Sequence, residues 1–177
     1  APAFINSIHT DDKNIMICDQ LESLLWFANH GTIEYHVPFQ KLLSTNPVEI
    51  AFDLDPPDRS KFDLAIKASL LIKQLLDDLE LISLVKTSGN KGLQIHVPIR
   101  EGSMTYEQTA KFTEAIALTI ESVEPRLFTT ERLKRNREDR LYIDYVQHGK
   151  DKTFITTYSQ QKTEDATVAT PLLWEDI

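Results

Sequence analysis

Two aspartates, Asp53 and Asp55, lie two residues apart at the end of the apolar run EIAFDLD. Side chains at positions i and i+2 of a strand point to the same face, so this spacing places the two carboxylates side by side. Like charges there repel each other and lose hydration unless a positive ion lies between them. Mg²⁺ or Mn²⁺ meets this need, because hard cations take oxygen ligands and keep positions for substrate phosphates. On its own, such a pair is more often structural, with one aspartate capping the next element and the other solvated.

A third carboxylate, Asp144, lies within the apolar and aromatic segment RLYIDYV. An unpaired charge on such a strand is costly, so it needs a partner. A salt bridge to a nearby arginine such as Arg140 would supply one, and so would a shared metal site. Three strand-borne aspartates are the ligand set of a two-metal centre for phosphoryl or nucleotidyl transfer.

The segment KTSGNKG, residues 86–92, has the composition of a phosphate-binding turn. It combines a serine hydroxyl, two glycines that let backbone N–H groups approach a ligand, and a lysine near each end. It is not a Walker A motif, because the spacing and the following helix are missing. Taken alone, the segment is better explained as a plain hairpin turn with solvated lysines. His96, two residues after Gln94 on the same strand face, is expected to be structural.

The elements that must position these residues follow from periodicity and capping. Helices are predicted over 19–31, 61–80 and 105–123, with Asp19 capping the first, Gly31 ending it, and Ser60 with Asp63 forming a capping box for the second. Strands are predicted over 49–55, 81–88 and 93–99, and the runs 140–148 and 152–159 are predicted to form a hairpin around GKD. The sequence therefore predicts one α/β (α+β) domain over residues 1–177, with a mixed β-sheet flanked by helices.

Composition narrows the class of protein. The 177 residues are 41% hydrophobic and 26% charged, which is typical of a globular domain. No apolar run is long enough to cross a bilayer, and the single Cys18 cannot form an intrachain disulfide. These features predict a cytoplasmic location, at the nucleoid, with no membrane partner. The net charge of −8 argues weakly against nucleic acid, but segment 131–140 carries five basic and three acidic residues and can still meet phosphates.

Five segments in order, FDLDP, VKTSGNKGLQIHVP, RLYIDYVQ, KTFITTYS and PLLWEDI, resemble the polymerase domain of bacterial ligase D-type proteins. That family belongs to the archaeo-eukaryotic primase superfamily, and the resemblance runs from about Cys18 to the C-terminus. It implies a primase-polymerase fold and a nucleotidyltransferase that extends DNA ends in non-homologous end joining. The implied substrates are gapped or overhanging DNA ends and nucleoside triphosphates, often ribonucleotides. Two Mn²⁺ or Mg²⁺ ions are the implied cofactors, and Ku and a DNA ligase are the implied partners.

The resemblance also implies roles for individual residues. The family's catalytic, metal-binding carboxylates fall on Asp53, Asp55 and Asp144, its triphosphate-binding serine on Ser88, and a basic residue ahead of the third aspartate on Arg137. Lys91, Gln94 and Gln161 complete the predicted nucleotide-binding set.

Three glutamines depart from the family pattern. Gln94 replaces a common histidine, and Gln147 and Gln161 replace common arginines. Glutamine cannot carry charge, and losing two arginines removes bidentate phosphate contacts. Weaker triphosphate binding is therefore expected.

The family's domain carries an N-terminal part, with basic and aromatic residues for the 5′-phosphate and the template, ahead of the segment that this chain matches. Residues 1–177 are therefore expected to form the C-terminal catalytic portion, with that N-terminal part absent and DNA docking weakened. The alternative is a catalytically weak or inactive module of the same fold that binds DNA ends or Ku. The three carboxylates favour the enzyme, whereas the glutamines and the expected absence of the N-terminal part favour the alternative. A phosphatase of the D-x-D-x-[TV] type is set aside, because Pro57 stands where threonine or valine is required.

Overall fold

The computed structural model describes residues 1–9 and 14–177, which form two compact units, residues 1–34 and residues 35–177. The first unit contains the antiparallel strands β1 (Ser7–His9) and β2 (Asn14–Met16) and the helix α1 (Leu21–Asn29). Gly31 has a φ of 84° and follows the helix end, as predicted. The prediction that Asp19 caps α1 is wrong, because Gln20 is the N-cap residue and the Asp19 carboxylate accepts a hydrogen bond from the Asn6 side chain at 2.7 Å.

The second unit is built on a six-stranded sheet. Its strands lie in the order β10 (Pro171–Leu172), β5 (Leu84–Thr87), β6 (Leu93–Pro98), β4 (Glu49–Asp55), β8 (Leu141–Asp144) and β7 (Phe128–Thr129). The pairing of β7 with β8 is parallel, and the other four pairings are antiparallel. The predicted mixed sheet is thus confirmed.

Helices α2 (Phe62–Asp78) and α3 (Tyr106–Val123) cover one face of this sheet and form the main core with it. The alternation along β4 explains which face they cover: Ile50, Phe52 and Leu54 are at most 2% exposed and belong to that core. Asp53 and Asp55 therefore project from the opposite face.

The two long helices begin with different caps. Thr105 and Gln108 form a complete capping box at the start of α3. The capping box predicted for Ser60 is wrong. Residues Arg59–Lys61 form a short 3₁₀-helix instead, and the Asp58 carboxylate accepts the Ser60 N–H at 2.7 Å.

A two-stranded ribbon, β3 (His36–Pro38) paired with β9 (Thr153–Ile155), forms a small separate sheet in the same unit. Phe154 of the ribbon packs with Phe39 and with Ala51 of β4 in a second, smaller core, so the ribbon lies on the side of β4 that carries the aspartates. The hairpin predicted for residues 140–159 is wrong, because β8 pairs with β4 and β7, whereas β9 pairs with β3. The Asp144 side chain accepts the Gln147 N–H at 3.0 Å and closes a turn that directs the chain out of the large sheet. In the described ranges 1–9 and 14–177, no helix is both long and apolar enough to cross a membrane.

Candidate active site

Four polar residues form a row across the large sheet. Lys86 pairs with Gln94, Gln94 pairs with Asp53, and Asp53 pairs with Asp144 on four neighbouring strands. Residues paired directly across strands share a face, and Asp55 shares the face of Asp53 because it lies two residues further along β4. The fold therefore brings the three predicted carboxylates to neighbouring positions on the face opposite the helices.

The Asp53 carboxylate accepts a hydrogen bond from Gln94 Nε2 at 3.1 Å. The pKa of Asp53 is raised from 3.8 to about 7: burial is the largest cause and the negative charges of Asp55 and Asp144 add to it, against the lowering effects of the Gln94 hydrogen bond and Lys86. When Asp53 is ionised, its surroundings therefore do not fully compensate its negative charge.

The Asp144 carboxylate is held by its own strand and the following turn. Its Oδ1 accepts the Tyr142 hydroxyl at 3.1 Å and the Gln147 N–H at 3.0 Å. Burial raises the pKa of Tyr142, and the Asp144 charge adds to the effect, so this phenol remains a hydrogen-bond donor. Because both hydrogen bonds end on Oδ1, the direction of the second carboxylate oxygen, Oδ2, is also fixed.

Two cations hold the Asp55 carboxylate. Lys91 Nζ lies 2.9 Å from Oδ1, and an Arg137 nitrogen lies 3.3 Å from Oδ2. Lys91 also donates to the Pro56 carbonyl at 2.7 Å, and the Arg137 guanidinium lies 3.7 Å above the centre of the Tyr142 ring. Asp55 is thus neutralised by residues that the surrounding chain already anchors.

A pocket of about 400 Å³ opens above these groups. Its lining includes six predicted site residues, Asp53, Asp55, Ser88, Lys91, Gln94 and Gln161, together with Gln147 and with His36 and Phe154 of the ribbon. Asp144 lies next to Asp53 in the row, whereas Arg137 lines a smaller pocket of about 90 Å³ together with Asp55 and Lys91. The pocket is large enough for a small-molecule ligand and has polar groups on several sides.

The turn between β5 and β6 forms one wall of this pocket. Ser88 Oγ accepts the N–H groups of Asn90 at 3.3 Å and Gly92 at 3.1 Å, and the Ser88 carbonyl accepts Gln161 Nε2 at 2.8 Å. A Cβ atom on Gly92 would lie 2.0 Å from the Leu54 carbonyl oxygen, so glycine is required for the close approach of this turn to β4. The serine and the glycine therefore shape the turn itself.

The donor chemistry of the three carboxylates fits a hard divalent cation. They supply an all-oxygen set, and burial together with the negative charges of Asp55 and Asp144 raises the pKa of Asp53, an effect that a cation bound among them would oppose. In residues 1–9 and 14–177 as their side chains stand, however, no three Asp, Glu, His or Cys residues converge closely enough to hold a metal ion. The ion pairs of Asp55 with Lys91 and Arg137 turn that carboxylate toward other partners.

Sequence reasoning missed two residues of this region. Tyr142 could have been found from period two, because it shares a strand face with Asp144. His36 gives no local signal, because it lines the pocket only through the pairing of β3 with the distant β9. Arg140, considered above as a partner of Asp144, donates to the main-chain carbonyls of Asn136 and Arg137.

Comparison with known proteins assigns this chain to a family. The family model described as the LigD primase-polymerase domain matches residues 2–177. The chain belongs to this family. The resemblance drawn from its motifs is thus confirmed.

This LigD primase-polymerase domain is similar to longer proteins. It is 44% identical over 177 residues to the bifunctional non-homologous end joining protein LigD of Bacillus subtilis, covering 100% of the chain and 29% of that protein. It is 30% identical over 164 residues to the multifunctional non-homologous end joining protein LigD of Mycolicibacterium smegmatis, covering 91% of the chain and 21% of that protein. The chain therefore spans less than a third of the length of these curated relatives.

A solved structure agrees with the fold of this LigD domain. The polymerase domain from Mycobacterium tuberculosis ligase D in complex with DNA matches with a TM-score of 0.87 and 26% sequence identity, over 99% of this chain and 66% of that chain. The predicted primase-polymerase fold is confirmed by this match.

Proposed function

We propose that this domain is a metal-dependent nucleotidyltransferase that extends gapped or overhanging DNA ends with nucleotides, often ribonucleotides, during non-homologous end joining. One observation carries the proposal: Asp53 and Asp144 lie directly opposite each other on neighbouring strands, with Asp55 two residues further on. These carboxylates adjoin a pocket that is walled by the Ser88–Gly92 turn. Membership of the LigD primase-polymerase family supports the proposal, as does the DNA bound to the solved mycobacterial relative.

In this proposal Asp53, Asp55 and Asp144 hold two Mn²⁺ or Mg²⁺ ions. Bound ions of this kind activate an attacking hydroxyl and stabilise the charge on a leaving phosphate. The chain's own contribution is to orient the ligands: Gln94 fixes Asp53, and Tyr142 fixes Asp144, each through a 3.1 Å hydrogen bond. Asp55 takes part by exchanging its ion pairs with Lys91 and Arg137.

The proposed triphosphate-binding residues are Ser88, Lys91, Gln94, Arg137 and Gln161. Within the chain they bind the site carboxylates or the backbone, so we expect them to exchange these internal partners for phosphate oxygens. Lys91 is the residue best placed for such an exchange, because its ammonium already lies in the pocket wall beside Asp55. Ku and a DNA ligase are the proposed protein partners, and the nucleoid is the proposed location.

The shortage of arginine at the pocket leads to a prediction about Gln161. Replacing Gln161 by arginine is expected to tighten nucleotide binding about tenfold, because a charge-assisted bond replaces a neutral one at the pocket wall. Fluorescence anisotropy with a labelled nucleoside triphosphate measures this affinity. Gln160→Arg, at the exposed neighbouring position, is the matched control. Equal affinities for the two variants would contradict the assignment of Gln161.

Primer extension tests the proposed function itself. Using a gapped DNA substrate, ribonucleotides and Mn²⁺, the parent chain is expected to extend the primer, and Asp53→Ala and Asp144→Ala are expected to be inactive. Asp78→Ala removes a carboxylate at the exposed end of α2 and should leave extension unchanged. Extension by Asp53→Ala at the parental rate would refute the metal-binding role.

The alternative is a catalytically weak or inactive module of the same fold that binds DNA ends or Ku. Two observations favour it: Lys91 and Arg137 both pair with Asp55, and in the described part of the chain no group of three metal-ligating residues is assembled. Fluorescence anisotropy with DNA ends separates the two proposals when it is run alongside the extension assay. Tight DNA binding without extension, equal in the parent and in Asp53→Ala, would support the alternative.

A further inference from the structure

A further cavity of about 330 Å³ lies on the same face of the large sheet as the site carboxylates. It shares Phe154 with the pocket described above, and Leu84 and Leu172 add to its mainly apolar wall. Three ionisable side chains, Glu49, Lys86 and His96, also line it. We refer to this space as the Lys86 cavity.

Lys86 is an unusual residue for such a wall. It is 5% exposed, and within the described part of the chain its Nζ has no hydrogen-bond partner. A buried ammonium without a partner is costly, because it has lost its hydration and gained no bond in exchange. The ammonium is therefore expected to take an acceptor from outside the chain.

The nearby carboxylates already have other partners. Glu49 Oε2 lies 2.9 Å from His96 Nδ1, and Asp53 accepts its hydrogen bond from Gln94. Burial lowers the pKa of Lys86 to about 8 even though Asp53 and Glu49 favour its charged form, so the side chain is still a cation at neutral pH.

The remaining lining defines the ligand. His96 Nε2 is also buried without a hydrogen-bond partner in the described residues, but it is an acceptor when Nδ1–H donates to Glu49, so Lys86 alone is assigned to hold an anion. The cavity volume of about 330 Å³ is about ten times the roughly 30 Å³ that one water molecule occupies in the liquid. The apolar walls offer few hydrogen-bond partners to a cluster of waters, so an organic ligand fits the cavity better. An oxyanion attached to an apolar body satisfies both the ammonium and these walls. Glu49 on the same wall disfavours a dianion.

We propose that the Lys86 cavity binds a small organic monocarboxylate, with its carboxylate on Lys86 Nζ and its apolar body against Leu84, Phe154 and Leu172. The proposal goes beyond the polymerase function, because it requires neither the nucleotide nor the metal. It assigns a ligand class to a space outside the row of catalytic carboxylates.

The test uses benzoate as the probe and benzamide as its neutral counterpart. Isothermal titration of the full chain in EDTA, without nucleotide or DNA, is expected to show saturable benzoate binding with a dissociation constant below about 1 mM and at least tenfold weaker binding of benzamide. Equal binding of the two probes, or no saturation by benzoate, would overturn the proposal. Phenyl phosphate, which is a dianion, should bind more weakly than benzoate, and tighter binding would overturn the carboxylate assignment.

Variants then locate the site. Lys86→Met should weaken benzoate binding at least about tenfold. Lys91→Met should leave it unchanged, because Lys91 lines the pocket of about 400 Å³ and not the Lys86 cavity. Leu84→Trp narrows the cavity from an exposed position without altering Lys86, and it should also weaken binding. Unchanged binding in either Lys86→Met or Leu84→Trp would refute the location. Primer extension run separately shows whether the polymerase proposal stands or fails, because the titration contains no metal.

Discussion

Replacement of Asp53 by asparagine is expected to stabilise the fold when no metal is present. The unfolded chain ionises this carboxyl group near 3.8, whereas the folded chain holds its proton up to a pKa of about 7. The folded state therefore binds the proton more tightly, and the free energy of unfolding falls as the pH rises through this interval. Asparagine is neutral at every pH and can still accept the hydrogen bond from Gln94.

The size of the effect follows from the same two values. From the interval between 3.8 and about 7, the free energy of unfolding of Asp53→Asn should exceed that of the parent chain by about 4 kcal/mol at pH 8 and by about 2 kcal/mol at pH 5. Bound Mn²⁺ should narrow this difference at pH 8 to about 1 kcal/mol, because it stabilises the parent chain by about 2.7 kcal/mol at one hundred times its dissociation constant and the variant by much less.

Urea unfolding followed by circular dichroism, at pH 5 and pH 8 and in EDTA or Mn²⁺, measures these free energies. Asp78→Asn, at the exposed end of α2, is the matched control and should change none of them by more than about 0.5 kcal/mol. The reasoning is refuted if Asp53→Asn is less stable than the parent in EDTA at pH 8. It is refuted equally if the gain does not depend on pH.

Three further perturbations test other parts of the site and the fold. Gly92→Ala should lower the free energy of unfolding by about 1–3 kcal/mol, because its Cβ would lie 2.0 Å from a carbonyl oxygen of β4. Gly149→Ala is the control, since the nearest atom to a Cβ there is 3.6 Å away, and a thermal melt should show a smaller loss of stability for it. Tyr142→Phe removes a hydrogen bond to Asp144, so it should weaken Mn²⁺ binding about tenfold with little change in melting temperature. Electron paramagnetic resonance measures the Mn²⁺ affinity, and an unchanged affinity would contradict this role of Tyr142. Burial lowers the pKa of His148 from 6.5 to about 4, so the unfolded chain takes up this proton first. Between pH 7 and pH 5 the parent chain should therefore lose about 2 kcal/mol of stability relative to His148→Gln, and urea titrations of the two chains measure this difference.

The elements that carry the site were predictable where local signals set them. Strand β4 shows its two faces in the alternation of apolar and acidic residues, and the observed strand has the predicted bounds, Glu49–Asp55. Helix α3 was predicted over 105–123 and is observed over Tyr106–Val123, and its capping box of Thr105 and Gln108 is a local signal of this kind. Family motifs then identified Asp144 as a partner of the first two aspartates.

Pairing and side-chain contacts were not predictable, because they depend on distant segments. The Asp53–Asp144 register joins segments from different halves of the chain, and the runs expected to form a hairpin lie in different sheets. The contacts of Lys91 and Arg137 with Asp55 depend on rotamers that a sequence pattern does not encode. Period two finds the residues on a strand face but does not say which neighbour each will contact.

The pairing of β3 with β9, and of β4 with β8, has a consequence for biosynthesis. A nascent chain that has emerged from the ribosome as far as α3 carries Asp53 and Asp55 but lacks both Asp144 and the ribbon strand that contains Phe154. Long-range pairings of this kind form late and slowly. The growing polypeptide therefore completes the row of carboxylates only after residues 141–155 have emerged, and a product terminated before them retains the helices but has no Asp144 to pair with Asp53.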